Sequence, residues 1–207
     1  MRSLILKCLT AGLVTILPSQ STQAEPKSRD QHPLQPCSSV SFQPQQLQRL
    51  SPRGCVDTEF PDGSLIVIQY GRPKLRNPEN GGPGEVFGFR VPYGQVWRAG
   101  ADEATSFVTN TNLIIGDKTV PAGAYTLYVI PERQKPWKLI INTNSEQWGM
   151  PYPGQSSDLA RIDMDSGLQR KTVDQLTFAF DSQSNNTAML TLEWEGWKAA
   201  VKITKQP

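Results

Sequence analysis

The stretch from Met189 to Thr204, MLTLEWEGWKAAVKIT, decides the fold class. Leu190, Leu192 and Trp194 alternate with Thr191, Glu193 and Glu195. Trp197, Ala199, Val201 and Ile203 then alternate with Lys198, Ala200, Lys202 and Thr204. A period of two puts one set on an apolar face and the other in solvent, the mark of half-buried antiparallel strands. Glu195-Gly196 between the two runs predicts a tight hairpin. Glu193 and Glu195 then share a solvated sheet face with Thr191, not a catalytic pair.

The same period continues upstream. Leu176, Phe178 and Phe180 alternate with polar or small residues, and SLIVIQY (64–70), TSFVTN (105–110), NLIIG (112–116), AYTLYVI (124–130) and WKLIINT (137–143) read as further strands. GDK and PAG supply turn chemistry between them. With no helical stripe and no strand-helix-strand alternation, residues 53–207 are expected to form one all-β domain, an antiparallel β-sandwich or jelly roll. In DMDSG (163–167) the spacing resembles part of a calcium loop, but Ile162 and Met164 alternate with Arg161, Asp163 and Asp165 as along a strand, so no metal site is expected.

Ahead of the domain, Arg2 and Lys7 precede an apolar run from Leu9 to Leu17, and Thr22-Gln23-Ala24 closes in a small-x-small pattern. This is the form of a secretory signal peptide over residues 1–24, too short to span a membrane. An exported protein, periplasmic or secreted, is expected. Cleavage removes two basic residues and no acid, which takes the formal charge from +2 to zero. A neutral chain without a basic run carries no electrostatic footprint for nucleic acid or an anionic membrane. Residues 25–52, rich in Pro, Gln and Ser, read as a flexible lead. Cys37 and Cys55 are expected to form a disulfide in an oxidising compartment.

His32, in that lead, is the only histidine. Ser-His-Asp and Cys-His catalysis and the common hydrolytic zinc sites each need an imidazole inside the domain, so they are excluded. RNPENGGPGE (76–85) lacks the Gly-Lys-Ser/Thr ending of a phosphate loop. No cofactor is implied. Carboxylate chemistry survives, since a glycosidase needs only two suitably spaced acids.

Residues 93–105, YGQVWRAGADEAT, concentrate Tyr93, Trp97, Arg98, Asp102 and Glu103. Trp97 should face opposite to Val96 and Arg98. A strand starting at Glu103 would put it on one face with Phe107, partly buried, with Arg98 across the Gly100 bend as its nearest partner. Two readings follow. In one, an internal Arg98–Glu103 pair under Trp97 fixes a corner of the fold. In the other, these residues line a pocket in which Tyr93 and Trp97 stack on a polar ligand such as a sugar or carboxylate. Trp148 and Tyr152 of EQWGMPY (146–152) are further candidate aromatic walls, and Trp148 reads equally as a core plug.

The segments YGRP (70–73), VFGFRVPYGQVWRAGADEAT (86–105) and VPAGAYTLYVIP (120–131), with the spaced residues from Trp137 to Gly149, together resemble the bacterial domain-of-unknown-function family 2911. The resemblance covers about Ser51 to Thr204. It implies an exported β-rich domain without an established activity. Arg72, Pro73, Tyr93, Gly94, Trp97, Arg98, Gly100, Ala101, Glu103 and Thr105 match its pattern, and Asp102 stands where the family usually has Asn. The candidate site is therefore Arg72, Tyr93, Trp97, Arg98, Glu103, Trp148 and Tyr152. The expected role is a non-enzymatic accessory module that binds a polar small molecule, a glycan or an envelope protein. The alternatives are a carboxylate-dependent glycan hydrolase with Glu103 as general acid or base, and a structural envelope component.

Overall fold

Nine strands form among the described residues, and the two longest carry the clearest period-two patterning and organise the rest. In the computed structural model, which describes residues 33–76, 85–181 and 184–207, these are β1 Arg53–Glu59, β2 Leu65–Gly71, β3 Thr105–Thr109, β4 Leu113–Ile115, β5 Lys118–Val120, β6 Gly123–Ile130, β7 Trp137–Asn142, β8 Asp158–Asp181 and β9 Thr187–Lys205. The expected signal peptide, His32 and most of the 76–85 loop lie outside the described residues. The strands form one sheet in the order β1-β2-β3-β6-β7-β8-β9-β4-β5, antiparallel throughout. The protein is thus a single all-β domain. No helix among the described residues is long and apolar enough to cross a membrane.

β8 first pairs with β7 and further along with β9, so one strand serves both arms of the sheet. The arms meet again at the other end. Tyr70 of β2 packs its ring edge-on against Phe178 of β8 at 4.9 Å, and its hydroxyl accepts the Phe178 N–H at 3.0 Å. Between the arms lies a continuous apolar cluster that includes Ile66, Phe107, Leu127, Trp137, Leu176, Leu192 and Ile203. Close packing of this kind makes strand register a strict constraint, since a slip of one residue would turn every apolar side chain out of the core.

The hairpin expected at Glu195-Gly196 is not formed. β9 runs straight through the pair, with Leu168 opposite Trp197 and Val173 opposite Glu195. Glu195 adopts a left-handed backbone (φ 57), and its carboxylate accepts the N–H groups of Val86 and Phe87 at 3.4 and 3.3 Å. That contact makes the dipeptide a kink inside a strand. Nor is the face carrying Thr191, Glu193 and Glu195 simply solvated, because Thr191 is buried and Glu193 pairs with Lys198 at 2.9 Å. The alternation read over residues 161–165 does belong to a strand: Ile162 and Met164 are buried, while Asp163 is exposed and paired with Lys138.

Residues 33–52 are held against the domain. A 3₁₀ turn at Cys37–Ser39 and a single helical turn at Pro44–Leu47 lead to β1, and the Cys37–Cys55 disulfide ties them to that strand. Closing a loop of about 19 residues is worth roughly 3 kcal/mol on chain-entropy grounds. Replacing both cysteines by serine is therefore expected to cost about 3 kcal/mol of unfolding free energy, read as a lower urea midpoint. An unchanged midpoint would show that the strap constrains nothing.

Candidate functional site

The segment that raised the functional question is an excursion from an otherwise continuous line along β6. Trp97 forms a β-bridge to Val129, and Thr105 pairs with Leu127. Residues 98–104 therefore stand opposite Tyr128 alone. Ala99 (φ 51) and Asp102 (φ 61) supply the left-handed turns that fold this excess out of the sheet. Asp and Asn are the non-glycine residues that tolerate that conformation best. This gives Asp102 a backbone role, one that Asn would fill equally well.

Trp97 faces opposite to Val96 as expected: it packs against the core, stacked on Trp194 at 5.9 Å, while Val96 packs on the other face with Tyr128, Ile130 and Ile140. The expected Arg98–Glu103 pair does not exist. Strand β3 starts at Thr105, so Glu103 stays in the excursion and does not share a strand face with Phe107. Its carboxylate meets the N-terminal strap and β1, with Arg49 Nη1 at 2.6 Å from Oε1 and Arg53 Nη1 at 3.7 Å from Oε2. Burial raises the Glu103 carboxyl pKa, but the Arg49 hydrogen bond and the two guanidinium charges outweigh it and hold the group below the usual carboxylate range. Burial acts the same way on Arg53, lowering its pKa against the opposing pull of Glu103.

Arg98 turns instead to the 146–152 loop. It lies 5.8 Å from the centre of the Trp148 ring and donates to the Trp148 carbonyl at 3.3 Å. Gly149 (φ 88) permits this docking, because a Cβ there would come within 2.9 Å of the Ala104 Cβ. The Ala104 N–H also bonds the Gln147 carbonyl at 3.2 Å. Trp148 is 56% exposed, so it is a wall and not a core plug.

Between the excursion and this loop lies a concavity of roughly 480 Å³. Its floor comes from strand register. Gln69 is opposite Ser106, and Ser106 opposite Thr126. Directly paired residues project to the same side, and their neighbours Ile68, Phe107 and Leu127 are buried in the core, so this row lies on the outer face. Arg53, Glu103 and Ala104 form one rim, and Glu146, Gln147 and Trp148 the other. The row continues through Asn142 to Asp158. There Asn142 Nδ2, the Tyr152 hydroxyl and Arg161 Nε converge on the Asp158 carboxylate at 2.5–2.8 Å.

Of the seven expected site residues, Glu103 and Trp148 line this pocket and Arg98 supports Trp148. The other four lie elsewhere. Tyr152 belongs to the Asp158 cluster, and its ring packs on Tyr128. Arg72 crosses β1 where Gly54 leaves room for its side chain, and it ties the two arms by donating to the Leu176 carbonyl and Thr177 Oγ1, both at 3.3 Å. Trp97 is half-buried and packs against the core. Tyr93 lines a separate concavity of roughly 500 Å³ with Glu85, Arg133, Glu195 and Trp197. Gln69, Ser106, Thr126, Arg53, Glu146 and Gln147 were missed by sequence reasoning. Only the alternation within each strand could have pointed to Ser106 and Thr126, as the polar partners of Phe107 and Leu127.

Among the described residues, no three His, Cys, Asp or Glu side chains are placed to hold a metal ion. The fold and this site define an all-β protein with a polar pocket on the outer face of its sheet. The chain belongs to the family described as Protein of unknown function (DUF2911), which it matches over residues 51–203. That span covers the pocket lining but stops short of Cys37 and Arg49. None of the curated proteins and none of the solved structures matches the chain.

The Glu103 contacts have a consequence in acid. A carboxylate whose folded pKa is below its unfolded value of about 4.3 contributes stability that is complete above that value and is lost as the pH falls through the folded pKa. The melting-temperature advantage of wild type over Glu103→Gln is expected to be full at pH 7 and to shrink as the pH falls from about 5 to about 3. A gap constant over that window would contradict the pairing with Arg49 and Arg53.

Proposed function

We propose that the protein is a non-enzymatic binding module for a small polar molecule, held in the outer-face pocket. The observation that carries this reading is the polar floor. Adjacent strands direct Gln69 and Ser106 to one side, beneath a half-exposed tryptophan, while the buried Thr126 next in the row donates its hydroxyl to the Asn144 carbonyl and holds the Gln147 amide. A pocket with convergent hydrogen-bonding groups and one apolar wall suits a ligand that is apolar on one side and polar at its edge. Export to an oxidising compartment is part of the proposal, and the Cys37–Cys55 disulfide supports it.

A second reading, a carboxylate-dependent glycan hydrolase, gains one observation: Glu146 lines the same pocket as Glu103. Two carboxylates across a sugar are what such a reaction needs. Held ionised by two arginines, Glu103 suits the base or nucleophile and not the acid. Release of aryl alcohol from aryl glycosides, lost in both Glu103→Gln and Glu146→Gln, would favour this reading over simple binding.

Titration of a panel of monosaccharides and small carboxylates, followed by tryptophan fluorescence and melting temperature, tests the binding reading. At least one compound is expected to shift both signals, and Trp148→Ala should weaken it about ten-fold or more, as loss of a stacking wall worth about 1.5 kcal/mol implies. Silence across the panel, or a variant that binds as tightly as wild type, would leave a structural envelope component as the better description.

A further inference from the structure

Three charged groups meet at one rim of the pocket, and their hydrogen bonding is incomplete in a specific way. Arg49 donates to Glu103 Oε1 at 2.6 Å. Arg53 Nη1 and Glu103 Oε2 are both sealed from solvent, and neither has a hydrogen-bond partner among the described residues. They stand 3.7 Å apart, within ion-pair range but too far for a hydrogen bond. The Arg53 side chain is only 8% exposed, so its unmet donor is costly to leave unpaired.

A ligand group that bridges these two atoms needs a definite chemistry. Arg53 Nη1 needs an acceptor, whereas Glu103 Oε2 needs a donor. A carboxylate offers only acceptors and would face Glu103; an ammonium offers only donors and would face Arg53. A hydroxyl is donor and acceptor at once. Its oxygen can sit about 2.8 Å from each of two atoms 3.7 Å apart. The rest of the pocket agrees, since Trp148 offers a flat apolar face and Gln69 and Ser106 offer neutral hydrogen-bonding groups.

Access to this position is controlled by the strap. Arg49 is 36% exposed, against 30% for Glu103 and 8% for Arg53, so it is the outermost of the three. It is held there by a segment tethered through Cys37–Cys55 to β1, where Cys55 is paired with Gln69 of the pocket floor. Displacing one solvated guanidinium opens the route to the two inner atoms.

We propose that Arg53 and Glu103 bind one hydroxyl of a neutral carbohydrate, and that Arg49 on the disulfide-tethered strap occupies the entrance and is displaced on binding. This rests on the outer-face pocket being a binding site. The test is calorimetric titration of the full exported chain with glucose, galactose and mannose, with their uronic acids, and with glucosamine and galactosamine. At least one neutral sugar is expected to bind about ten-fold or more tightly than its acidic and amino counterparts. Glu103→Gln should remove about ten-fold of that affinity, as expected when a hydrogen bond to a charged group loses its charge, with circular dichroism confirming the fold. Arg49→Ala, which removes the outermost of the three groups, should raise affinity for the same sugar several-fold. A uronic acid or amino sugar that binds as well as its neutral parent overturns the inference and leaves the pocket a site. An Arg49→Ala protein that binds no better than wild type overturns it too. Absence of binding by every sugar overturns the carbohydrate assignment, while a small carboxylate that still responds through Trp148 would keep the broader binding reading alive.

Discussion

The pairing register of β2, β3 and β6 is the constraint on which the rest depends. One residue of slip would exchange Ile68, Phe107 and Leu127 for Gln69, Ser106 and Thr126, burying the polar row and exposing the core. The buried residues fix the register through packing, so the outer row is placed without any interaction of its own. A pocket floor built this way is rigid because its other side is the core. Rigid elements hold binding groups more closely than loops do.

The rims are built by the opposite means, local backbone irregularity. Ala99 and Asp102 in the excursion that carries one rim, and Glu146 in the other rim, have left-handed backbones, unusual outside glycine. Such positions persist only where surrounding contacts over-determine them, and they concentrate at functional sites. Here the contacts are the Arg98–Trp148 packing, the Ala104–Gln147 hydrogen bond and the Arg49–Glu103 ion pair. The ion pair is partly exposed, so its contribution to stability is modest; the positions it fixes matter more.

Period-two alternation made the all-β class legible, along with the inward residues of β8 and β9 and the opposed facing of Trp97 and Val96. Strand β1 was not legible, because an edge strand with half-buried residues and a glycine carries no clean alternation. The Glu195-Gly196 kink looked like a hairpin because the dipeptide permits either, and only its contact with Val86 and Phe87 decides. Glu103 was recognised as a carboxylate needing a partner. The partner was misassigned because sequence nearness favoured Arg98, whereas Arg49 and Arg53 arrive through strand pairing and a disulfide. A pocket floor drawn from three strands has no linear motif at all.

The most direct measurement is a map of amide chemical shifts in the isotope-labelled protein during titration with a mixture of neutral monosaccharides. Perturbations are predicted to cluster on Arg53, Gln69, Glu103, Ser106, Gln147 and Trp148, with a further one at Arg49. Perturbations confined to the concavity around Tyr93 and Trp197, or none at any concentration, would contradict the placement of the site on the outer face.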